Sequence, residues 1–215
     1  GSFKDSSVIA AIYYAIEKGA DVINLSLGTS YANPQTEEAV EAAIASGIIV
    51  IGAAGNDGTN QLSYPASFDD VISVGAVDES LTIAEYSNYN LALDIAAPGS
   101  DIVTTSIGSG YVTGSGTSFA APHVAGIIAL FISYFPDASV DEIKAKLYAS
   151  AVDLGIPGID PYYGYGLIDA YALLASNYYK ITYVTGAGSY EAPDYVISGS
   201  LLDYPATPTL EDQVF

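Results

Sequence analysis

Two hydrophobic periods alternate early in the chain. The segment DSSVIAAIYYAIEKGADVINLSLG has a candidate cap at Asp5 or Ser6, then apolar residues at helical spacing, Val8, Ile12, Ala15 and Ile16; the period breaks at Gly19. An apolar strand is expected directly afterwards, over 22–27. NPQTEEAVEAAIASG reads as a second helix, with Asn33 as cap, Pro34 at the first helical position and acids in the first turn, where the helix dipole favours them. GIIVIGAAG, an unbroken apolar run, has the composition of a parallel strand covered on both faces. Helix and strand in this alternation predict a parallel α/β sheet.

Further along, VISVGAV, LDIAAPG and DIVTTSIGSGYVTGSG predict short strands separated by Gly, Pro and Asn turns. Two helices are expected next, from Ser118 to about Tyr134 and from Ser139 to about Ala151, the second opened by Ser139 with Glu142 in a capping box. A short helix over 167–175 would close the domain. YYKITYV, YVISGSLL and DYPATPTLEDQ then lack a helical period, so residues 1–176 read as one domain. Residues 177–215 read as an acidic, Tyr-rich extension or the start of a β-rich module.

Composition narrows the function. The net charge of −20 comes less from abundant acids than from scarce bases: five lysines and no arginine. Phosphate neutralisation needs a basic surface, so a nucleic-acid partner is excluded and an acidic membrane surface disfavoured. With no cysteine there is no disulfide, thiol nucleophile or Cys-ligated zinc. No apolar run in the sequence reads as a membrane span, and no signal segment opens the chain. Nineteen tyrosines beside few long charged side chains have an extracellular style.

The chemistry-bearing stretch is GSGTSFAAPHVAG, which places Ser118 at the junction of a Gly-rich turn and a helix of small residues. Free N–H groups at such a helix start can hold a developing oxyanion. An N-cap role for Ser118 explains the local pattern equally well. His123 is the chain's one histidine. Five helical residues at about 100° each turn it roughly 140° from Ser118 and carry it about 7 Å along the axis. It therefore reads as a packed, hydrogen-bonded histidine and not as the base for Ser118.

GTSFAAPHVAG resembles the nucleophile motif of the subtilisin-like serine proteases, the subtilases, and further segments resemble the same family in the same order: DVINLSLG, IIVIGAAGNDG, YPASFDDVISVGAVD with LDIAAPG, and YGYGLIDAYALL. The resemblance implies a three-layer α/β/α fold with a mostly parallel sheet, incomplete at the N-terminus, and hydrolysis of peptide bonds through an acyl-enzyme. It implies Ser118 as nucleophile and Asn56 as side-chain donor to the oxyanion. By the same likeness Ser26, Leu27 and Gly28 add an extended substrate as a strand, while Ala53, Ala54 and Gly55 wall the specificity pocket. Small walls lead to an expectation of sizeable apolar side chains and broad specificity.

In that family the catalytic Asp and His lie upstream of the helix that begins here near Asp5, so neither can be matched in this sequence. The implied partner is an N-terminal fragment of the same protease carrying both, beside a protein or peptide substrate, and the chain alone is expected to be nearly inactive. The address implied is secreted or cell-surface. No cofactor is needed for the chemistry and no metal residue is assigned; calcium enters only as a structural ion, with backbone oxygens near Ala66, Phe68 and Val71 resembling a secondary cation site.

Rival readings fare less well. Gly52, Gly55 and Gly58 follow an apolar strand, but a dinucleotide fingerprint must open a helix and TNQLSYPASFDD does not. An α/β-hydrolase elbow lacks its final glycine in GTSFA. The sedolisins, acidic relatives, carry an aspartate at the oxyanion position, where Asn56 stands here. The serious alternative is a catalytically inactive, subtilase-like structural domain of a surface assembly, against which retention of both Ser118 and Asn56 weighs.

Overall fold

The structure is a computed structural model that describes residues 3–175 together with the backbone of 178–185 and 188–197. The chain divides after Leu173 into two units. In the first, α1 (Asp5–Glu17), β1 (Val22–Leu25), α2 (Pro34–Ala45), β2 (Ile49–Ala53), β3 (Ile72–Val77) and β4 (Ile95–Pro98) come in succession. The strands form one parallel sheet in the order β1-β2-β3-β4, with Ile51 opposite Asn24 and Ile72, and Val74 opposite Ile95. The hairpin β5 (Ile102–Thr105) and β6 (Tyr111–Gly114) is antiparallel and leads into α3 (Thr117–Tyr134), followed by α4 (Val140–Ser150) and α5 (Ala170–Ala175).

Strand alternation sorts the layers. Ile23, Leu25 and Val50 point to the face packed by Val8 and Ile12 of α1 and by Ala39, Val40 and Ala43 of α2. On the opposite face α3 packs against all four strands, burying Ala120, Ala121, Val124, Ile128 and Phe131 at helical spacing. Helices on both faces of a parallel sheet make the α/β architecture expected from the sequence. At 18 residues and mean hydropathy 1.4, α3 has the length and composition of a membrane span, but it is the helix packed on this sheet. Each fully buried Ile, Leu or Phe contributes about 1.5–3 kcal/mol relative to exposure.

Two of the three expected helix caps form, and the third is displaced by a tertiary contact. Asn33 caps α2 by accepting from the Gln35 and Thr36 N–H groups, and Ser139 caps α4 through the Glu142 N–H. For α1 the N-cap is Lys4, not Asp5 or Ser6, and it makes no side-chain cap bond. Asp5 lies inside the first turn, where its carboxylate accepts from the Tyr31 hydroxyl and the Asn33 amide, a tertiary use that outcompetes the cap. The final helix starts at Ala170, later than the expected 167, because Leu167 and Ile168 are paired to Val152 and Ala96 and Asp169 accepts from the Ala172 N–H.

In the second unit β7 (Tyr178–Thr185) and β8 (Gly188–Ile197) form an antiparallel hairpin with a register shift between Lys180 and Thr182. The rest of YVISGSLL and all of DYPATPTLEDQ lie outside the described residues.

Candidate active site

Parallel strands deliver their carboxyl ends to one side of a sheet, where ligands of open α/β sheets bind. The segments following β1 and β2 meet the start of α3 there, around a cavity of about 340 Å³ that both Asn56 and Ser118 line. A reciprocal pair joins the first segment to the helix. The Ser26 hydroxyl, itself accepting from the Asn24 amide at 2.9 Å, donates to the Ser118 carbonyl at 2.9 Å. In return the Ser118 hydroxyl, half-buried, donates to the Ser26 carbonyl at 3.4 Å, a long contact that leaves it little restrained.

Gly116 stands at the N-cap with φ +151°, a conformation that favours glycine; a Cβ there would lie 3.4 Å from Asn56 Nδ2. Asn56 is oriented by its neighbour across the cleft: Thr117 donates both its N–H, at 2.8 Å, and its hydroxyl, at 2.9 Å, to Asn56 Oδ1. The same hydroxyl accepts from the Gly55 N–H at 3.2 Å. With both donations on Oδ1, the amide orientation follows from the network, and Nδ2 is left as the free donor end of an exposed residue. No described hydrogen bond takes up Asn56 Nδ2 or the Ser118 N–H. Two donors without acceptors, on residues that line one cavity with a hydroxyl, can stabilise an oxyanion.

The remaining predicted residues fall unevenly around the cavity. Leu27, Gly28, Ala53 and Gly55 line it, and Ser26 sits beside Ser118 through the pair described above. Ala54 does not line it: the residue is buried and its N–H is bonded to the Val74 carbonyl, because side chains alternate along the strand that ends here. The lining is more polar than small apolar walls led one to expect, since Thr29, Ser30, Asp57, Gln61, Ser63 and Asn88 join it. Ser63 reaches so close to Gly28 that a Cβ on Gly28 would overlap its hydroxyl.

His123 is half-buried and its Nδ1 bonds the Phe119 carbonyl at 2.8 Å within α3, as its helical phase predicted. Thr117 and Asn88 were missed by sequence reasoning: their contacts span 61 and 31 residues, and no local pattern marks such pairs. At the turn considered for a cation, Lys144 donates from Nζ to the carbonyl and carboxylate of Asp70, both at 3.2 Å. Among the described residues no three His, Cys, Asp or Glu cluster as a metal site. Under the sheet, burial holds the Asp94 carboxyl above the usual carboxylate range, against the lowering effect of the Ser73 N–H and Lys144.

Residues 1–166 match the subtilase family. The chain belongs to that family. Subtilisin DY of Bacillus licheniformis is 40% identical to this subtilase over 176 residues, which cover 80% of this chain and 63% of that protein. An intracellular serine protease of Paenibacillus polymyxa is 44% identical over 164 residues, covering 73% of this chain and 50% of its own. Among solved structures, the prenylagaramide maturation protease PagA superposes with a TM-score of 0.74 at 30% identity, covering 80% of this chain and 68% of that one. Sphericase gives 0.75 at 29% identity, with 78% and 64% covered. The subtilase chain thus spans 63% or less of the length of these two curated relatives.

Proposed function

We propose that this subtilase is a serine endopeptidase in which Ser118 is the nucleophile and Asn56, with the Ser118 N–H, holds the oxyanion. The observation that carries the reading is the pair of unengaged donors beside the Ser118 hydroxyl, with Asn56 Oδ1 already doubly bonded to Thr117. Ser118 Oγ attacks the scissile carbonyl and gives its proton to a base. The carbonyl oxygen gains charge and moves toward Asn56 Nδ2 and the Ser118 N–H. Collapse expels the amine, which takes the proton, and water then hydrolyses the acyl-enzyme. The peptide lies alongside 26–28 and places one side chain in the cavity.

The base is not assigned to His123, which lies five residues along α3 from Ser118, about 140° around the helix axis and about 7 Å along it, so that the two side chains leave on different faces. In this reading an N-terminal segment of the same protease supplies the catalytic Asp and His. Two features support docking of that segment. The outer edge of β1 has no strand partner among the described residues, whereas β4 is flanked on its outer side by bridges to Gly164 and Leu167. On α3, Pro122, Gly126, Leu130 and Ser133 form an exposed stripe at helical spacing on a largely apolar helix. The protease is proposed to be secreted, in keeping with its composition, although one relative is named an intracellular enzyme. Calcium is proposed only as a structural ion.

Peptide hydrolysis tests the reading. The full-length protease is expected to cleave a fluorogenic peptide and to lose about 10⁶-fold in kcat on Ser118→Ala. The isolated chain is expected to show almost no turnover. Robust activity of the isolated chain refutes the division of the triad.

A further inference from the structure

We infer that Asn88 is a positioning residue for the oxyanion hole, acting on the main chain of the loop that carries Asn56; the inference rests on the role proposed for Asn56. Asn88 is 1% exposed and follows β3 at a distance of 11 residues from Val77. Its carboxamide meets the loop residue by residue. Oδ1 accepts from the Asp57 N–H at 2.9 Å and from the Thr59 N–H at 3.4 Å. Nδ2 donates to the Gln61 carbonyl at 3.4 Å, and the Asn88 N–H donates to the Gly55 carbonyl at 3.0 Å. The residues on either side of Asn56 are therefore tied to one buried side chain and its own backbone.

The fit excludes a looser arrangement. Gly55 has φ +106°, and a Cβ there would collide with Asn88 Nδ2, so the loop backbone passes directly over the carboxamide. Asn88 is anchored in turn: the Ser87 hydroxyl accepts from the Ala76 N–H of β3 at 3.0 Å and donates to the Asn88 carbonyl at 3.2 Å. The sheet thus sets Asn88, Asn88 sets the backbone of residues 55–61, and Thr117 sets the rotation of the Asn56 amide. Each step concerns a different degree of freedom. An oxyanion donor stabilises the transition state only where it meets the position the oxygen will occupy, and displacements of about 1 Å can cost about 100-fold.

A double-mutant cycle in the full-length protease tests this. Asn88→Ala is expected to lower kcat about 10- to 100-fold with KM changed less than about threefold, as expected for loss of transition-state stabilisation. In the Asn56→Ala background the same substitution is expected to change kcat less than about twofold, since the donor it positions is gone. Equal losses in the two backgrounds overturn the inference and make Asn88 a structural residue. Should Asn88→Ala fail to fold, Asn88→Asp, which keeps an acceptor for the Asp57 and Thr59 N–H groups, replaces it. Its smaller loss must likewise vanish without Asn56. If Asn56→Ala alone leaves kcat unchanged, the failure lies in the oxyanion assignment and is visible as such. Fluorophosphonate labelling of Ser118 reports separately on the nucleophile.

Discussion

Two loops approach the start of α3, and they are built in opposite ways. The loop of residues 54–61 after β2 is stitched on one side to buried Asn88 and on the other to fully buried Thr117. The β5–β6 hairpin turns back on itself through Gly108, Ser109 and Gly110, all at positive φ, with the Ser106 N–H on the Gly110 carbonyl. Its apolar side chains lie in the open: Ile107 is 104% exposed and Tyr111 80%. Hydrogen bonding that crosses the fold is concentrated where negative charge is proposed to develop. The hairpin's bonds are mostly its own. Preorganisation therefore belongs to one loop, and substitutions in the two should differ by orders of magnitude in their effect on catalysis.

The sharpest separation comes from Asn56→Ala, expected to lower kcat about 100- to 1,000-fold, the loss known for removing one such donor from a subtilisin, with KM nearly constant. Steady-state kinetics on a fluorogenic peptide check it. Next is Thr117→Val, which keeps the shape and removes the hydroxyl between Asn56 Oδ1 and the Gly55 N–H. A fall of about tenfold in kcat, with about 1–2 kcal/mol of stability lost by denaturant unfolding, is expected.

A control away from both loops is Asp94→Asn. Burial raises the Asp94 carboxyl above its ordinary value, so the folded protein holds the proton more tightly than the unfolded chain. Its favourable contribution is fully present below the unfolded pKa and is lost as pH rises through the folded one. The Asn variant keeps an acceptor for the Ser73 N–H. It should therefore unfold at a higher temperature than the parent at pH 7, with the gap closing as pH falls toward the unfolded carboxyl range near about 3.9, and unchanged kcat. The smallest effect belongs to the hairpin: Ile107→Ser is expected to change kcat less than about twofold and stability by less than about 0.5 kcal/mol. A large loss there would erase the contrast between the loops.

What the sequence disclosed follows the range of the forces involved. Unbroken apolar runs such as IIVIGAAG announce parallel strands because both faces are covered, and Asn33-Pro34 announces a helix start because capping is local. The resemblance singled out Ser118 and Asn56, which the fold brings to one cavity, and geometry alone gave the helical phase of His123. The residues that hold the site, Thr117 and Asn88, were not legible, since a buried hydroxyl or carboxamide acquires its meaning from partners far along the chain. Ala54 lies outside the cavity lining because the resemblance gives a run of residues, whereas strand alternation turns only some of them to one face. Asp5 misled for the mirror reason: it has the chemistry of a cap and spends it on Tyr31 and Asn33.

The central claim is that the Ser118 hydroxyl is the reactive group of a preorganised acyl-transfer site. Treating the full-length protease with a fluorophosphonate and mapping the adduct by peptide mass tests it most directly. The account predicts a single adduct on Ser118, absent in Ser118→Ala and formed far more slowly in Asn56→Ala. An inert Ser118 in the folded protease, or an adduct on another serine, contradicts it.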